Sequence, residues 1–108
     1  DKGKRPLMGE ISSVYSDRVI VTSDNPRSEK PSEIIKEILS GIPKSKSSKV
    51  LTVQERKQAI KVACELAESG DVILIAGKGH EKYQIIGDEK LHFDDLETTI
   101  EIFKQIQQ

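Results

Sequence analysis

The sequence predicts an α/β domain, a mostly parallel sheet with helices on both faces, from three observations. Compact β-branched runs, "RVIVTS", "VLTV" and "DVILIAG", are of the kind found in buried strands. Between them lie stretches with helical spacing, so the order strand, helix, strand, helix, strand suggests right-handed βαβ units. Two loops of unusual chemistry, "SDNPR" and "GKGHE", follow strands, and open α/β sheets bind ligands beyond the carboxyl ends of their strands.

Each element has its own signal. "RPLMGEISSVY" opens with Pro6, a favoured first-turn residue, and spaces Leu7, Ile11 and Val14 along one helical face. "RVIVTS" is a strand ended by the Asp24-Asn25-Pro26 turn, since Asn and Asp tolerate unusual dihedrals and Pro presets φ. "KPSEIIKEILSGI" puts Ile34, Ile35, Ile38 and Leu39 on one stripe, with Pro31 near the start and Gly41 past the end. "PKSKSSK" reads as an exposed, mobile connection, its lysines solvated and not phosphate-binding. After "VLTV", residues 54–69 form the longest expected helix, with Ala59, Ile60, Ala63, Cys64, Leu66 and Ala67 on its apolar face and Gly70 as terminator. "DVILIAG" is a further buried strand. "YQIIGDEKLHF" has Gly87-Asp88 between two extended runs, the mark of a hairpin. In "DDLETTIEIFKQIQ", Asp94 and Glu97 suggest a capping box, with Leu96, Ile100, Phe103 and Ile106 inward. No repeat or second domain is visible.

Composition narrows the function. The chain has 108 residues, one domain's worth, with 17 Lys+Arg against 18 Asp+Glu and a formal net charge of -1. No global field therefore recruits nucleic acid or an anionic membrane, and any anion site must be local. No apolar run approaches a membrane span, and "DKGKRPLMGE" has no hydrophobic signal region. The lone Cys64, set in an apolar stripe, reads as a small core residue in a reducing compartment, which makes the cytoplasm the default location.

The two loops are the candidate site. Arg27 is not needed to reverse the chain, so its presence in "DNPR" asks for a role; alone, it also fits a surface cation paired with Glu29. "GKGHE" also fits a plain tight turn, and it is not a Walker A loop because the GxxxxGK[ST] spacing is absent. His80 with Glu81, or His92 with Asp94 and Asp95, lack a second spaced pair, so no metal site is expected.

Taken together, "DKGKRPLMGEI", "TSDNPRSEKP" and "AGKGHEKYQIIGD", in this order and at these separations, closely resemble the carboxy-terminal domain of the Mur ligases. The branch resembled is MurE, whose members add the third residue of the peptidoglycan stem peptide, and the resemblance covers nearly the whole chain. It implies a three-layer Rossmann-like domain, 1–108, that brings the amino acid, with the UDP-sugar and P-loop ATPase domains absent. It also implies a hydrophobic strand and a Gly-Gly-Asp-Arg turn before Asp1, so the domain is expected without its first strand and with an incomplete site.

Members that use meso-2,6-diaminopimelate carry the loop sequence DNPR, present here as Asp24-Asn25-Pro26-Arg27. The resemblance then assigns Arg27 to the distal carboxylate and Asn25 to the same stereocentre. Gly77, through its backbone, and Glu81 hold the distal amino group, with Asp24, Pro26 and His80 as supporting loop residues. Lys4 is assigned a phosphate-facing place. Residue chemistry agrees: a guanidinium matches a carboxylate fork and a Glu matches an ammonium. No residue here is assigned to bond making, and the fragment alone is expected to be inactive. ATP and Mg2+ are expected mainly outside it, and UDP-N-acetylmuramoyl-dipeptide is expected to bind through the other domains. Alternatives are a free-standing amino-acid or anion binding module and a Mur ligase of the murein-tripeptide recycling branch.

Overall fold

A computed structural model describes residues 2–24, 29–77 and 82–107. A short 3-10 turn, Lys2–Lys4, leads into α1 (Arg5–Tyr15), β1 (Val19–Val21), α2 (Pro31–Leu39), β2 (Val50–Thr52), α3 (Arg56–Leu66), a hairpin of β3 (Tyr83–Ile86) and β4 (Glu89–His92), and α4 (Asp95–Ile106). β1 and β2 pair in parallel with Val19 opposite Val50, and β3 and β4 pair antiparallel with Tyr83 opposite His92. The α/β class, the parallel pairing and the hairpin follow the sequence expectation.

Two cores hold the layers together. Val19 and Val21 lie on one side of β1 against Ile35, with Ile38, Leu39, Ile42 and Val50 around them. Ile60, Cys64 and Ile102 join α3 to α4, and Ile73, Ile75, Phe93 and Phe103 close over them. Burial pushes the Cys64 thiol above its ordinary range, with the Glu65 charge adding to the effect, so it is an unreactive core group. α1 packs on α2 through glycines rather than through its apolar stripe. A Cβ on Gly9 would overlap the Ile38 carbonyl oxygen, and one on Gly41 would overlap the Pro6 carbonyl. The helices can therefore approach backbone to backbone, and Gly9 and Ser13 are the residues α1 buries.

Several expectations are corrected. Leu7, Ile11 and Val14 stand about half exposed, because the glycine face docks α1 in their place. "PKSKSSK" is not a free loop: Lys44–Lys49 form a 3-10 helix in which the Ser47 hydroxyl donates to the Lys44 carbonyl at 2.8 Å, three residues back as that helix requires. Lys49 Nζ also donates to the Ser16 carbonyl at 2.7 Å, which fastens the segment to the end of α1. α3 is shorter than residues 54–69 because residues 68–71 close a turn of their own. There the Glu68 N–H donates to Asp71 Oδ2 at 2.8 Å, and Gly70 supplies φ +91.

Two further corrections concern what is buried. Segment 71–76 is assigned no strand, and although Ile73 and Ile75 face the α3–α4 core, Val72 is 92% and Leu74 86% exposed. That alternation belongs to a segment with one face open. α4 buries Asp95, Thr98 and Ile102, which leaves Leu96, Ile100 and Ile106 largely outward. Its cap is half of the box expected: Asp94 accepts from the N–H groups of Leu96 and Glu97, while the Glu97 carboxylate turns to His92 Nε2 at 3.1 Å.

Candidate functional site

The ends of three chain segments meet at one edge. The Val53 N–H donates to the Val21 carbonyl at 3.0 Å, and the Ser23 hydroxyl donates to the Gln54 carbonyl at 2.9 Å, so the end of β1 is fastened to the end of β2. Arg56, the first residue of α3, sends Nε and Nη2 to the two carboxylate oxygens of Asp95 at 2.8 and 2.6 Å. Nη2 also donates to the Ala76 carbonyl at 3.2 Å. Arg56 therefore fixes the peptide just before Gly77, and Asp95, the first residue of α4, fixes Arg56. The pair is buried, and only a bidentate geometry with further bonding offsets the loss of water around two charges.

A cleft of about 650 Å³ opens between β1 and the segment that ends at Gly77. Its floor is Val19 to Thr22, Ile34, Ile38 and Leu74, and its rim holds Asp24, Gly77 and Arg56. Asp24 and Gly77, predicted from separate loops, thus border one crevice. Gly77 has φ +100 and a Cβ there would meet nothing within 4 Å, so among the described residues the need for glycine is conformational and not steric. Gln84 Nε2 donates to the Asp24 carbonyl at 2.8 Å, joining the hairpin to the first loop across 60 residues of sequence. Asn25, Pro26, Arg27, His80 and Glu81 lie outside the described residues.

The amino-terminal end of α1 closes the other side. Arg5 grips the Glu29 carboxylate with Nη1 and Nη2, each at 3.0 Å, and Nη1 also reaches Glu37 at 3.0 Å. The hydrogen bonds that Arg5 donates to Glu29 push its pKa up, burial opposes them, and Glu37 adds to the rise. Glu29, considered from sequence as a partner for Arg27, thus binds Arg5. Lys4 is exposed at the start of α1, and it is the neighbouring Arg5 that borders the cleft. A shallower depression of about 430 Å³ on the outer side of α4, around Leu96 and Ile100, meets neither a glycine loop nor a strand end.

Sequence reasoning missed Arg56, Asp95 and Gln84. One signal was available for the first: a cation at the start of a helix opposes the helix dipole and so needs a specific partner. Gln84 gave none, because a Gln in a strand is ordinary.

A parallel β1–β2 pair with helices packed on it, and with Asp24 and Gly77 at one rim of a cleft, is the architecture of an α/β domain. The chain belongs to the Mur ligases, matching the Mur ligase, glutamate ligase domain over residues 1–79. It is 57% identical over 103 residues to the UDP-N-acetylmuramoyl-L-alanyl-D-glutamate–2,6-diaminopimelate ligase of Bacteroides thetaiotaomicron, covering 95% of this chain and 21% of that protein. It is 54% identical over 106 residues to a ligase of the same name from Clostridium acetobutylicum, covering 98% and 21%. A solved structure of a ligase so named superposes with a TM-score of 0.91 at 38% identity, over 100% of this chain and 22% of that one. The chain spans about a fifth of the length of these relatives.

Proposed function

We propose that this chain is the amino-acid-positioning domain of a cytoplasmic, ATP-dependent ligase that joins meso-2,6-diaminopimelate to UDP-N-acetylmuramoyl-L-Ala-D-Glu in peptidoglycan synthesis. The observation that supports it most is the meeting of Asp24 and Gly77 at one rim, since they begin the two loops in which the amino acid's readers reside. Arg27 takes the distal carboxylate as a bidentate pair, and Asn25 bonds at the same carbon. The Gly77 carbonyl and Glu81 take the distal ammonium, with Asp24, Pro26 and His80 shaping the loops. Lys4 faces phosphate.

ATP supplies activation of the D-Glu γ-carboxylate as an acyl phosphate, on which the amine of diaminopimelate forms the new amide as phosphate leaves. This chain supplies the position of that amine, and orientation of this kind is worth about 7–11 kcal/mol. The residues present do not make a whole nucleotide site: the sequence has no Walker A loop, and among the described residues no three His, Cys, Asp or Glu side chains could together hold a metal. In this reading ATP and Mg2+ are held mainly by other domains, as is the UDP-sugar, and this fragment alone makes no amide. No helix among the described residues is long and apolar enough to cross a membrane.

The floor of the cleft between β1 and residues 71–76 is largely apolar among the described residues, and the ligand reading rests on its rim.

Arg27→Ala in the full-length ligase tests the assignment. Truncating one partner of a desolvated charge pair costs about 2–5 kcal/mol, so kcat/KM for diaminopimelate should fall roughly thirtyfold to several-thousandfold. Lysine, which has no distal carboxylate, should lose little, and the KM for ATP should hold. Equal losses for both amino acids would refute the role.

A further inference from the structure

We propose that Arg56 is itself a substrate-binding residue, whose Nη1 nitrogen donates to the distal carboxylate of the amino acid at the rim of the cleft. The inference deepens the reading given under Proposed function and rests on it.

A guanidinium carries five N–H groups, all donors. Arg56 gives the one on Nε and one on Nη2 to the two oxygens of Asp95, and the other on Nη2 to the Ala76 carbonyl at 3.2 Å. Both hydrogens on Nη1 are left without an acceptor among the described residues. A charged donor on a side chain only 4% exposed is costly to leave unpaired. Nη1 is not sealed inside, because Arg56 lines the cleft together with Gly77. The other arginines that line it, among the described residues, do not compete for this place. Arg5 is committed to Glu29 and Glu37, and Arg18 stands exposed at the opposite end of β1 from Asp24.

The planar fork sets the direction of the donor. Asp95 occupies the Nε edge, so Nη1 shares the remaining edge with the Nη2 hydrogen that meets Ala76, and the two N–H bonds run parallel. Nη1 therefore donates beside the Ala76 carbonyl, on the approach to Gly77. A Cβ on Gly77 would meet nothing within 4 Å, so a ligand group has room there. Asp95 and Ala76 already hold the guanidinium, so binding through Nη1 orders no new side chain. A donor of this kind takes an oxygen anion, and in the reading above the Gly77 carbonyl takes an ammonium. Consecutive Cα atoms lie about 3.8 Å apart, so donor and acceptor face groups a few ångströms from each other, as the carboxylate and ammonium on one carbon are. A carboxylate offers about four lone-pair sites, so a fork from Arg27 leaves a site for Nη1.

The test uses the full-length ligase with diaminopimelate and lysine as competing substrates. Both carry the distal ammonium and only diaminopimelate carries the carboxylate, so loss of the Nη1 donor and a mere shift of the Gly77 peptide have different signatures. Arg56→Lys keeps a cation for Asp95 but has no second arm, and it should lower kcat/KM for diaminopimelate about 10- to 100-fold more than that for lysine. The KM values for ATP and the UDP-dipeptide should stay within about twofold, a split that general loosening of the fold would not give. Because Arg56 also supports the fold, a second measurement uses the unsubstituted enzyme. With its guanidinium nitrogens labelled, NMR should show hydrogen exchange at Arg56 Nη1 slowed about tenfold or more by diaminopimelate and unchanged by lysine. Equal losses for the two amino acids in Arg56→Lys, a raised KM for ATP alone, or an Nη1 already protected before substrate is added would each overturn the proposal. Arg27→Ala, run in parallel, separates the two failures. If it abolishes the preference and Arg56→Lys leaves it intact, only the Arg56 contact is wrong; if neither changes it, the reading of the site is wrong.

Discussion

Arg56 is 4% exposed, and every bond it makes serves something else's position. Its fork holds the start of α4 through Asp95 and the approach to Gly77 through the Ala76 carbonyl. Removing one partner of such a buried pair leaves a charge without compensation, so Arg56→Leu should destabilise the domain by about 3–5 kcal/mol in urea unfolding. Replacing both partners, Arg56→Met with Asp95→Leu, should recover much of that, because an apolar pair of similar volume has no charge to desolvate. Equal destabilisation by the single and double variants would show that the pair fixes the geometry in a way packing cannot replace. Gln84 presents the contrast, being a half-buried neutral group that makes a single bond, to the Asp24 carbonyl at 2.8 Å, with no charge to compensate.

Elements are joined here by close backbone approach as much as by side chains. α1 meets α2 where Gly9 faces the Ile38 carbonyl and Gly41 faces the Pro6 carbonyl, and both contacts need a hydrogen where other residues have a methyl. Gly9→Ala should therefore cost about 1–3 kcal/mol, as overpacking does, even though alanine is the better helix former. A neutral or stabilising result in thermal unfolding would mean the helices can separate without loss. The position matters to the site, because Arg5 at the start of α1 holds Glu29 at the edge of the cleft.

At the scale of the whole molecule the open feature is the second edge of β1. The Val21 carbonyl accepts from Val53, and along a strand successive residues alternate between the two edges, so the N–H and carbonyl of Ile20 face the cleft. Leu74, which also lines the cleft, is 86% exposed. In the complete ligase, hydrogen exchange at the Ile20 amide should be slower than in the isolated 108-residue chain, by an order of magnitude or more if a strand pairs there. Identical exchange in the two would exclude a strand in this cleft.

The sequence by itself determined the α/β class, most helices and the hairpin. Period-2 and period-3.6 patterns and local signals such as Pro31, Gly70 and Gly87 act locally, and they are legible without knowing neighbours. Its misreadings share one cause. Leu7, Ile11 and Val14 form a stripe whose period is right and whose burial is not, because which face packs depends on the partner, and here two glycines decided it. Segment 71–76 reads as a buried strand, yet whether such a run pairs is settled by what lies beside it. Likewise, Arg56, Asp95 and Gln84 come from positions 11 to 39 residues apart, and the bonds that Arg56 and Gln84 make to Ala76 and Asp24 exist only once α3, α4 and the hairpin are brought to one edge. Local chemistry named the loops; only the tertiary structure shows what holds their ends, because a hydrogen bond is selected by distance in space and leaves no period along the chain.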